Sequence, residues 1–121
     1  MPSHPFSKTQ RVRRRGEFQH VFEIGYRISS RYFTLLLASG ASPPARLGIV
    51  ASRKLGDAVR RNRAKRLIRE VFRHIDTPPA AVDVVVIPRR ELFEASFSDI
   101  ERDFRTAWRR GSSKIQQINA G

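Results

Sequence analysis

The chain has 121 residues, 40% of them hydrophobic, and no cysteine, which suits one domain with its own core and excludes disulfides and thiolate zinc sites. Its 24 Lys and Arg face 11 Asp and Glu, a formal net charge of +13 that repels itself in a compact chain unless a polyanion neutralises it. Lys stands only at 8, 54, 65 and 114, and the Arg bias leans toward phosphate and base edges, although charge alone also admits DNA or a membrane surface.

Residues 1–15 (MPSHPFSKTQRVRRR) read as a basic arm. From Glu17 a short helix is expected, with Phe18, Val21 and Phe22 at helical spacing and Gly25 as its terminator. Residues 31–38 (RYFTLLLA) alternate as a strand, Tyr32, Thr34 and Leu36 on one side and Phe33, Leu35 and Leu37 on the other. The turn SGASPPA and a second strand, Leu47 to Ser52, make 31–53 an expected antiparallel hairpin. The longest helix follows, with Asp57 as its N-cap and Ala64, Leu67, Ile68, Val71, Phe72 and Ile75 as its apolar stripe. Asp76-Thr77-Pro78-Pro79 stops it.

Val82 to Ile87 (VDVVVI) is a nearly continuous β-branched run, as expected of a strand in the middle of a sheet. A final helix is expected from a capping box of Ser98 and Glu101 to Gly111, burying Phe97, Ile100, Phe104, Ala107 and Trp108. Residues 112–121 read as a loose tail. The predicted order α-β-β-α-β-α is an α+β sandwich, helices on a sheet of four strands or fewer. It forms one domain over 1–121 with an ordered core at about 13–111.

The basic helix carries the functional information. At 100° per residue, Asn62, Lys65, Arg66, Arg69 and Arg73 cluster opposite the apolar stripe, with Arg61 and Arg63 at the edges. Only Glu70 offsets this charge, whereas a merely solvated face usually alternates signs at i,i+4. A single-signed face with cations one turn apart, about 5.4 Å, suits a run of RNA phosphates. Arg60 alone falls on the apolar side.

Phe33, Phe72, Phe104 and Trp108 are read as core, while Phe18, Phe22 and Tyr32 fit either a core or a surface that stacks on unpaired bases. Histidines at 4, 20 and 74 lack metal-ligand spacing, so no metal is expected on the protein. Enzymatic motifs are absent: no phosphate-cradling GxxxxGK, no nucleophile–base pairing, and no carboxylate cluster for Mg²⁺. Asp83 stands isolated in its strand, and Asp99, Glu101 and Asp103 read as charges at a helix N-terminus. No apolar run approaches the about 20 residues of a membrane span and the N-terminus lacks a signal-peptide core, so the expectation is a cytoplasmic protein without a membrane partner.

The stretch RKLGDAVRRNRAKRLIREVFR resembles the signature of the bacterial ribonuclease P protein family, with Arg61-Asn62-Arg63, Lys65-Arg66 and Arg69 as its kernel. EFQHVFEIG, SSRYFTLLL, LGIVASRK, DVVVIPRR and a last helix with Trp108 follow the family's order, so the resemblance spans about residues 11–110. It implies a left-handed βαβ crossover through the basic helix, against the usual rule of handedness. It also implies an endoribonuclease subunit assisting removal of the 5′ leader from precursor tRNA, with the catalytic groups and Mg²⁺ in an RNA subunit and no catalytic residue here. The implied partners are that catalytic RNA and precursor tRNA, with no obligate protein partner. The resemblance assigns RNA-subunit binding to Arg53, Lys54, Arg61, Asn62, Arg63, Lys65, Arg66 and Arg69. Phe18, Phe22, Tyr32, Thr34 and Leu36 match the cleft that holds the single-stranded leader. The competing readings are a structural ribosomal protein, another basic RNA-binding protein, and a self-sufficient nuclease.

Overall fold

The computed structural model describes residues 12, 15–40, 45–75 and 82–120, the last five as backbone alone. Helix α1 spans Arg15–Ile24, and strands β1 (Tyr26–Ser29), β2 (Phe33–Ser39) and β3 (Arg46–Ile49) follow. A 3-10 turn at Arg53–Leu55 leads into α2 (Ala58–His74). Strand β4 (Val82–Pro88), a 3-10 segment at Arg90–Glu94 and α3 (Phe97–Ala120) complete the chain. This is the expected α+β class. Most of the expected basic arm, the centre of the SGASPPA turn and the Asp76–Pro79 stop lie outside the described residues.

The sheet has four strands in the order β1-β2-β4-β3. Strand β4 pairs antiparallel with β2 and parallel with β3, so α2 is the crossover between adjacent parallel strands. The expected hairpin over 31–53 is therefore wrong: β2 and β3 are held apart by β4. The antiparallel partner of β2 is β1, with Tyr26 opposite Leu37 and Ser29 opposite Thr34. The sequence hides β1 because it is four residues long and half polar. It is recognisable only through its pairing with the apolar β2 and the tight turn closed by Ser30 N–H donating to the Phe33 carbonyl at 2.8 Å.

Alternation along the strands builds two cores on opposite faces. Phe33, Leu35, Leu37, Val84, Val86 and Leu47 meet α2 and α3, which bury Ala64, Ile68, Val71, Phe72, Phe104 and Trp108. Aromatic rings interlock there: Phe33 and Phe104 lie 5.5 Å apart between centroids, and Phe72 meets Trp108 edge-on at 5.8 Å. On the other face, α1 lays Val21 onto Leu36, Ala38 and Val85, with Phe18, Val50 and Ile87 at the edge. Asp83 is not isolated. The Arg46 guanidinium from β3 donates to its two carboxylate oxygens at 2.9 and 2.7 Å and also to Glu17 of α1. These carboxylate bonds, the one to Asp83 foremost, hold the guanidinium charge still more firmly than usual despite its partial desolvation.

The last helix departs from expectation at both ends. Its cap is Ser96, whose hydroxyl accepts from the Asp99 N–H at 3.2 Å, so the helix begins before Ser98. Gly111 does not end it, and the helix continues to Ala120, through the stretch expected to be a tail. Gly111 instead lets the helix approach the sheet: a Cβ there would lie 2.6 Å from a Leu37 methyl and 3.1 Å from an Ile28 methyl. A glycine that permits packing looks, in sequence, like one that stops a helix.

Two outcomes follow for α1. Arg46→Ala strands the buried Asp83 carboxylate; because the Arg46 side chain keeps 24% exposure, the expected loss is about 2–3 kcal/mol, below that for a fully buried pair, read from denaturant unfolding. Gly48→Ala places a Cβ 2.7 Å from the Phe18 ring and 2.9 Å from Val12 Cβ. Overpacking of that size should destabilise by about 1–3 kcal/mol and move the Phe18 ring resonances in an NMR spectrum.

Candidate nucleic-acid interface

The basic surface starts before α2. Leu55 is buried and anchors the 3-10 turn, leaving Arg53 and Lys54 exposed. Gly56 then takes φ of 129°, a conformation side chains disfavour, and a Cβ there would meet the Arg60 chain at 2.7 Å. Asp57 caps α2 as expected, its carboxylate accepting from the Arg60 N–H at 2.9 Å. Along α2, Asn62, Arg63 and Arg66 are exposed, and Arg61, Lys65 and Arg69 are half-buried. Ala64, Ile68, Val71 and Phe72 anchor the opposite side. The helix thus brings together all eight residues expected to bind RNA, including the two in the preceding turn.

Charge pairing divides this surface. At the C-terminal end, Glu70 binds Arg73 at 3.2 Å and His74 at 3.2 Å, and Arg69 is engaged within the chain. Arg53, Lys54, Arg61, Arg63, Lys65 and Arg66 have no carboxylate among the described residues. They lie along the N-terminal half of α2 and the turn before it. Arg60 belongs elsewhere: its guanidinium lies 5.5 Å from the centroid of the Phe93 ring, stacked on the 3-10 segment. First-turn position lets it leave the core. Nothing in the spacing of Phe93, far along the chain, announces that contact.

The second surface lies on the opposite face of the sheet. A ten-residue α1, about 15 Å long, packs on that face and leaves Val50 and Ile87 half-buried. Phe22 is 46% exposed at the edge of the helix, and Phe18 is half-buried over Gly48. Leu36 and Thr34 point to this face but are only 5% and 3% exposed, Leu36 under Val21 and Thr34 beneath Arg89. Sequence spacing gives no sign of Arg89: from the end of β4 it donates to Thr34 Oγ1 at 3.2 Å and puts a cation beside half-buried Ile87. Tyr32 does not join this group and packs against the α2–α3 core. It sits in the β1–β2 turn, its N–H bonded to Ser30 Oγ at 3.2 Å, where strand alternation no longer governs direction.

This arrangement can hold phosphates on one side and apolar or aromatic groups beside cations on the other. Among the described residues, no group of three or more acidic, His or Cys side chains could hold a metal ion, and no helix is long and apolar enough to cross a membrane.

Comparison with known proteins connects this geometry to a family. A family model described as Ribonuclease P matches residues 6–112. The ribonuclease P protein component of Thermotoga maritima is 41% identical over 90 residues, covering 74% of this chain and 77% of the relative. That of Desulfosudis oleivorans is 34% identical over 116 residues, covering 95% and 96%. Among solved structures, the Thermotoga maritima RNase P protein matches with a TM-score of 0.68 at 37% identity, over 76% of this chain and 88% of its own. A Staphylococcus aureus RNase P protein mutant with defective mRNA degradation activity matches with a TM-score of 0.78 at 29% identity, over 87% and 90%. Sequence and fold agree over most of the chain, and this protein belongs to the ribonuclease P protein family.

Proposed function

We propose that this chain is the protein subunit of a ribonuclease P that removes the 5′ leader from precursor tRNA, with the catalytic groups in the RNA subunit. The observation that carries the reading is the array of cations from Arg53 to Arg66 without carboxylate partners among the described residues. On one rigid helix face those side chains match a folded RNA backbone, and releasing its counterions drives binding. The Phe22 edge of α1, with Phe18 behind it and Arg89 and Ile87 on the sheet, is the surface for the single-stranded leader. Ring stacking and a nearby cation hold unpaired bases with little sequence demand.

The chemistry is assigned to the partner because no carboxylate cluster among the described residues could hold a metal ion, and six of the eleven carboxylates are engaged elsewhere. Glu17 and Asp83 bind Arg46, Glu70 binds Arg73 and His74, Glu101 binds His74 and Arg105, Asp99 binds Arg102, and Asp57 caps α2. Mg²⁺, when bound by the RNA subunit, supplies an activated water and neutralises charge on the phosphate. This chain's part is to anchor the RNA, orient the leader and lower the repulsion between two polyanions.

Reconstitution tests the whole reading. Mixed with a bacterial ribonuclease P RNA at low Mg²⁺, the protein should increase precursor cleavage and substrate affinity; no gain in either would overturn it. Arg63→Ala and Arg66→Ala should each lower the salt slope of RNA-subunit binding by the equivalent of about one phosphate. Phe22→Ala should weaken binding of leader-bearing precursor by about 1–3 kcal/mol while sparing mature tRNA. Equal losses on both substrates would remove the leader from that surface.

A further inference from the structure

No acidic residue follows Asp103 in the chain, and this divides α3 into two halves of different character. In the first half the arginines are paired. Arg102 meets Asp99 at 2.5 Å, and Arg105 lies 3.7 Å from Glu101 and donates to the His74 carbonyl at 3.1 Å. In the second half, Arg109, Arg110 and Lys114 are exposed and have no hydrogen-bond, ion-pair or ring partner among the described residues. Ala107, Trp108, Gly111, Ser112 and Ile115 fill the buried side of the same turns, so the cations share the outer face with Ser113.

Like charges one turn apart, such as Arg110 and Lys114, repel in an isolated helix. Attraction to the helix C-terminus does not explain them. That effect falls off within the last turn, and the helix runs on to Ala120, well beyond Lys114. The cluster is also separate from the α2 surface. Gly111 docks this half of α3 on Leu37 and Ile28, over β2 and β1, whereas α2 follows β3 at the opposite edge of the sheet. Three strand spacings, about 14 Å, separate the two edges.

We propose that the outer face of α3 from Arg109 to Lys114 is a second phosphate-binding surface, occupied by another segment of the same structured RNA that α2 holds. Three features point to that occupant. The face lies on the α2 side of the sheet, away from the leader surface beneath α1. It offers no exposed ring, since Trp108 is buried, so it suits a stacked backbone rather than splayed bases. Two cationic faces in one layer let a single large polyanion span both helices. The inference rests on the RNA-subunit reading above.

The test is Arg109→Gln, Arg110→Gln and Lys114→Gln combined in the full chain, with binding to ribonuclease P RNA measured across salt concentrations without substrate. The slope of log affinity against log salt should fall by about two to three units, at about 0.9 for each phosphate that the protein no longer neutralises. Discrimination between leader-bearing precursor and mature tRNA should stay unchanged. An unchanged slope overturns the proposal. So does a loss confined to precursor binding by the assembled particle, which would make the face a substrate surface.

Arg63→Ala, measured alongside, separates the two readings. A lowered slope for Arg63→Ala alone sinks only the α3 surface; unchanged slopes for both sink the RNA-subunit reading as well. Should the triple variant fold poorly by circular dichroism, the single Arg110→Gln decides, with an expected fall of about one unit.

Discussion

Strand β4 hydrogen-bonds to β2 on one side and β3 on the other, and its two faces feed two separate cores. Val84 and Val86 face the layer of α2 and α3, and Val85 faces α1. Because β4 is buried on both faces, its register determines where every other element sits. The crossover from β3 through α2 to β4 sets the cationic helix on one face of the sheet. The β1–β2 hairpin lies on the other side of β4 and supports the floor beneath α1. The cationic helix α2 and the Phe18 ring of α1 therefore lie on opposite faces of one thin sheet.

Charge is distributed with comparable economy. The chain carries 11 acidic and 24 basic residues, and two groups of acids that meet cations sit where elements join. Asp83 and Glu17 draw Arg46 between β4, β3 and α1. Glu70 and Glu101 converge on His74 at the junction of α2 and α3. The Arg46 bridge fixes where α1 crosses the sheet, and through it where the Phe18 and Phe22 rings stand. Among the described residues, much of the remaining positive charge stands on the starts and outer faces of helices, where burial is slight. A protein arranged so would gain order and relief of repulsion when its RNA binds.

The face beneath α1 shows how much a short helix matters. Ten residues of α1 bury Val21 and Leu36, while Ile87 stays half-buried and Phe22, on the helix itself, is 46% exposed. Gly48 contributes by having no side chain, so that the Phe18 ring settles onto the β3 backbone. Arg89 then lies over Thr34 and adds a cation to that face.

Elements whose signal is local were legible in the order of residues alone. Helix α2 declares itself by its apolar period, its Asp57 cap and its run of nearly single-signed charge, and the central place of β4 by a nearly continuous β-branched run. The exposed cationic side of α2 followed, because spacing is enough to define a helix face. Pairing was not local. Strand β1 carries too little apolar character to declare itself, and the choice of β1 over β3 as the partner of β2 depends on β4 arriving from residues later in the chain. The same holds for Tyr32, turned away by a hairpin bend, for Arg46 and Asp83, joined across 37 positions, and for Gly111, which reads as a helix stop until the sheet beneath it is known. Periodicity reports what a residue does within its own element. What that element meets is settled by packing in three dimensions, because contact energies between distant segments leave no period in the chain.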